Sequence, residues 1–85
     1  MNPFQTLADQ LYNKLIELEG SADADQLFLC SYLLGHLSLV SAETGQKETE
    51  LLTRMQQSLE DAFQVDQLSE LDKQQITSLW QQIQS

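Results

Sequence analysis

Eighty-five residues are enough for one domain with a thin core. Thirteen acidic residues against four basic ones give a formal charge of −9. That argues against a nucleic-acid partner or an anionic membrane, since Lys14, Lys47, Arg54 and Lys73 are too few and too scattered to neutralise phosphates, and it leaves a basic partner protein or plain solubility as the use of the charge.

The first helix starts at Asn2 and Pro3. An asparagine caps orphan amides, and proline at the first helical position loses no hydrogen bond. Phe4, Leu7, Ala8, Leu11, Tyr12, Leu15 and Leu18 recur at three- and four-residue spacing and form one apolar stripe, opposite Asp9, Gln10, Asn13, Lys14 and Glu17. Gly20 is suited to end this helix in the left-handed conformation.

Asp23, with Gln26 three residues on, predicts the cap of a second helix running from about Ala24 to Thr44, with Gly45 as its stop. This segment contains the densest apolar run in the chain, Leu27 to Val40, together with the lone Cys30 and His36. Its bulky side chains spread nearly all round, as in a helix packed on several sides. Ala24, Ser31, Gly35, Ser38 and Ala42 gather on one narrow face. A mid-helix glycine costs up to about 1 kcal/mol against alanine, so the pattern predicts a neighbouring helix crossing close to Gly35, and a Gly35→Leu change that disrupts the bundle.

A third helix is expected from near Gln46–Glu48 to about Phe63, with Leu51, Leu52, Met55, Leu59, Ala62 and Phe63 as its stripe. Ser69, with Asp72 three residues on, caps a fourth, whose stripe is Ile76, Leu79, Trp80 and Ile83. No stretch alternates with period two. The expected fold is all-α, a compact single-domain four-helix bundle with antiparallel neighbours and helix two (about residues 24–44) at its centre.

The Leu27–Val40 run is shorter than the roughly 20 residues that cross a bilayer. The N-terminus has no basic segment and carries Asp9, so it does not read as a signal peptide. A single cysteine allows no intrachain disulfide and fits a reducing cytoplasm.

Leu27-Phe28, Tyr32-Leu33, Gly35-His36-Leu37, Leu39 and Ala42-Glu43 resemble the hallmark segment of the YfcL-like proteins, small bacterial helical proteins of uncharacterised function. Ser58-Leu59-Glu60, Leu68-Ser69 and Trp80 are similar to later parts of that family. The resemblance implies a cytoplasmic all-helical domain and brings no functional residues.

On the second helix Tyr32, His36 and Glu43 fall within about 40° of one another. They could rim a ligand or peptide pocket with a titrating histidine. The plainer reading makes Tyr32 and His36 core-edge residues bonded to a neighbouring helix. Trp80, at the edge of its stripe, either seals the core or anchors a partner. No catalytic, cofactor or metal site is expected: one cysteine and one histidine cannot build a structural zinc site, and no stretch has EF-hand spacing. The expected role is a non-enzymatic interaction module or regulator, monomeric or weakly homodimeric, with an unknown protein partner. The alternative is a small-ligand-binding or catalytic protein using the Tyr32, His36 and Glu43 stripe.

Overall fold

The computed structural model describes residues 2–85. It contains α1 (Pro3–Glu19), α2 (Ala24–Ser41), α3 (Glu48–Val65) and α4 (Glu70–Ile83), with no strand among the described residues. The caps form where side chains can reach the orphan amides. Asn2 accepts from the Gln5 amide, Asp23 from Gln26 and Ser69 from Asp72. At the start of α3 the Glu50 carboxylate accepts from the Lys47 amide.

One apolar cluster joins the four helices. Phe4, Leu11, Leu15, Leu33, Leu37, Leu51, Met55 and Ile76 are closed to water, with Trp80 and Ile83 sealing the α4 side. The α1 and α2 helices are antiparallel: the Gln5 side chain at the start of α1 donates to the Ser41 carbonyl at the end of α2. Antiparallel pairing of α2 with α3 follows from the His36–Ser58 and Tyr32–Asp66 bonds. The α4 helix starts beside Asp25 and Phe28 and ends against α1, where Lys14 Nζ donates to the carbonyls of Ile83 and Ser85. A cation at that position also suits the negative end of the helix dipole.

The α2 helix packs against all three other helices, as α1 also does, and most extensively against α1. The detail of the bundle departs from expectation in three ways. The α2 helix ends at Ser41, three residues before Thr44, with Ala42 as a right-handed C-cap. Neither Gly20 nor Gly45 has a positive φ, so neither ends a helix by the left-handed route. Most consequentially, no helix crosses at Gly35: a Cβ built there meets nothing within 4 Å. The face carrying Ala24, Ser31, Gly35, Ser38 and Ala42 is open to solvent throughout. A Gly35→Leu side chain would therefore point into water and leave the bundle intact.

The close approach occurs at Gly45 instead. A Cβ there would stand 2.5 Å from two atoms of the Phe4 ring. The N-terminus of α1 is tied down at this point, with the Asn2 side chain donating to the Gly45 carbonyl at 2.8 Å and the Phe4 amide to Gln46 at 3.2 Å. Arg54 closes the corner. Its guanidinium carbon lies 5.4 Å from the centre of the Phe4 ring, and Nη1 donates to the Thr44 carbonyl.

Candidate functional site

The α2–α3 pairing brings two of the four candidate residues together. The Tyr32 and His36 rings lie with their centroids 4.8 Å apart, one helical turn apart on α2. The Tyr32 hydroxyl donates to Asp66 Oδ2 just beyond α3, at 2.8 Å. His36 Nδ1 is 2.8 Å from Ser58 Oγ on α3. Phe63 also stacks on Tyr32, and Phe28 is tilted against it. The result is an aromatic file along the α2–α3 seam whose polar tips are both engaged. Burial, the bond to Asp66 and that carboxylate's charge together push the Tyr32 hydroxyl up to about 12.

Glu43 does not join them. With α2 ending at Ser41, Glu43 lies beyond the helix, 3.6 Å from Arg54, which also pairs with Glu50. The arc shared on an ideal helical wheel has no meaning past the point where the helix stops. Trp80 is 6% exposed and belongs to the core. It also lines an open cleft of about 460 Å³ between α3 and α4, together with Leu52, Leu59 and Phe63. Among the lining residues Glu60 is the only titratable group, so the cleft offers no acid–base pair.

Cys30 is fully buried, and its thiol is pushed up by burial and by the negative charge of Glu19. A thiol in that setting is a poor nucleophile. Among the described residues, no group of three or more His, Cys, Asp or Glu side chains is placed to hold a metal ion. No helix there is long and apolar enough to cross a membrane.

The feature that residue-by-residue reading missed is the outward face of α2. Besides its small residues it holds Leu27 and Phe28, each 43% exposed, and Leu39, 71% exposed. These side chains and the small residues between them fill an arc of about 120° over about 27 Å. None of them is charged. The signal was present as the stripe of small residues, but from sequence that stripe fits an internal crossing equally well.

The family model described as YfcL protein matches residues 3–85. The chain belongs to the YfcL family. No curated protein and no solved structure matches it. The YfcL match spans all four helices, and with them the aromatic seam, the α3–α4 cleft and the open α2 face.

Proposed function

We propose that this YfcL-family chain is a small acidic, non-enzymatic helical protein of the cytoplasm, acting as an interaction module or regulator that docks another protein chain through the outward face of α2. One observation supports the reading above others: this exposed helix face has no charge on it, in a chain carrying thirteen acids and four bases. Helix faces turned to water ordinarily carry polar and charged residues, and contiguous exposed apolar patches mark interaction surfaces. Leu39, 71% exposed, takes no part in the buried core, and Leu27 and Phe28 lie outside it with 43% of each exposed, so core packing does not account for this surface. The small-ligand or catalytic alternative has less behind it. Glu43 is engaged with Arg54, and the polar tips of Tyr32 and His36 already have partners on the α3 side.

The test is a photoreactive benzoylphenylalanine introduced at Leu39 and irradiated in cells, with the same residue at exposed Asn13 on α1 as control. The expected outcome is a discrete adduct from position 39 that is absent from position 13. No adduct at 39, or equal labelling at both positions, would sink the proposal.

A further inference from the structure

We infer that the partner seated on the α2 face is a second copy of the same chain, bound antiparallel about a two-fold axis passing near Gly35. The inference rests on reading this face as a docking surface and goes on to name its occupant. The first argument is charge. Two copies of net charge −9 repel each other over most of their surfaces. On the outward face of α2 they can meet with no acid inside the patch, Asp25 and Glu43 standing at its rim.

The second argument is shape. A two-fold interface must be complementary to itself. With Gly35 opposite its own copy, the two-fold keeps like sides of the two faces together, so Leu39 of one copy approaches Phe28 of the other. That apolar contact is made twice by symmetry. Nothing within 4 Å of the Gly35 Cβ position obstructs the approach, and small residues at the crossing let the helix axes come to the short end of the usual 8–10 Å or so.

The third argument is area. On α1, Tyr12 and Ile16 are 40% and 43% exposed. They lie within about 20° of Gln5 on the helical wheel, and Gln5 is the residue that reaches α2. They therefore flank the same face and widen it. Together these residues would bury on the order of 1,000 Å² over both copies, the low end for a specific interface. The dimer is accordingly a weak, reversible one.

Sedimentation of the full chain from about 1 µM to about 1 mM is expected to show the mass moving from monomer towards dimer. Raising the salt from about 50 to about 500 mM should tighten the equilibrium several-fold, because screening relieves like-charge repulsion. Leu39→Glu should abolish the dimer while leaving the helical circular dichroism unchanged. Gly35→Cys should form an intermolecular disulfide on mild oxidation, and Asn13→Cys should not, since only residues whose Cα atoms come within about 7 Å can be bridged.

A chain that stays monomeric throughout overturns the inference. So does a dimer indifferent to Leu39→Glu, a dimer that weakens with salt, or equal crosslinking at positions 35 and 13. If the chain is monomeric and benzoylphenylalanine at position 39 still yields a discrete adduct with a different protein, the second copy is refuted and the docking face stands.

Discussion

Two glycines show how much a single missing side chain can mean. Gly35 is exposed in mid-helix with open space around it, so Gly35→Ala should raise the stability of the monomer by up to about 1 kcal/mol through helix propensity alone. Gly45 is held against a ring that is itself fully buried and covered by Arg54. Gly45→Ala should therefore cost about 1–3 kcal/mol, as overpacking does. Thermal melts of the two variants at low protein concentration should move in opposite directions. Tyr32 gives a pH signature at the same scale. Its folded-state value, about 12, lies above the unfolded value of 10.0. The stabilisation from its protonated form is thus complete below pH 10 and is lost as pH rises towards 12. An ultraviolet titration should show Tyr32 ionising near 12 rather than 10, and Asp66→Asn should bring that transition down.

At the scale of the helix, sequence legibility followed local chemistry. Three starts were readable because a cap is a short-range event: Asn2, Asp23 and Ser69 each bond an amide three residues on. Asp23→Ala and Ser69→Ala should each cost about 0.5–2 kcal/mol, measured by urea denaturation. The α4 stripe was readable for a similar reason, since Ile76, Leu79, Trp80 and Ile83 need only helical spacing to share one face. The end of α2 was not. Ser41 gives its carbonyl to Gln5, and Arg54 takes the Thr44 carbonyl. Partners 36 and 10 residues away thus hold the departing chain. That early stop is also what separates Glu43 from Tyr32 and His36.

For the molecule as a whole, one core cluster joins four helices, and no disulfide supplements it. Folded chains of this size are stable by roughly 0.05–0.15 kcal/mol per residue. Truncating a fully buried leucine removes about 2–5 kcal/mol, a large share of that total. Leu33→Ala should lower the melting temperature by roughly 10 °C or more, followed by circular dichroism. The same change at Leu39 should move it little, because that side chain contributes almost nothing to the monomer's core.

The amino-acid sequence by itself determined the helix count, most of the core and the all-α class, because periodicity and capping act within a few residues. It also carried the resemblance to the YfcL family through the residues of α2. Only the tertiary structure decided which side of an almost uniformly apolar α2 faces water. A helix that is apolar all round has no preferred direction of its own, so its neighbours choose the face left open. In this chain α1, α3 and α4 cover three sides and leave Gly35, with Phe28 and Leu39 beside it, turned outward.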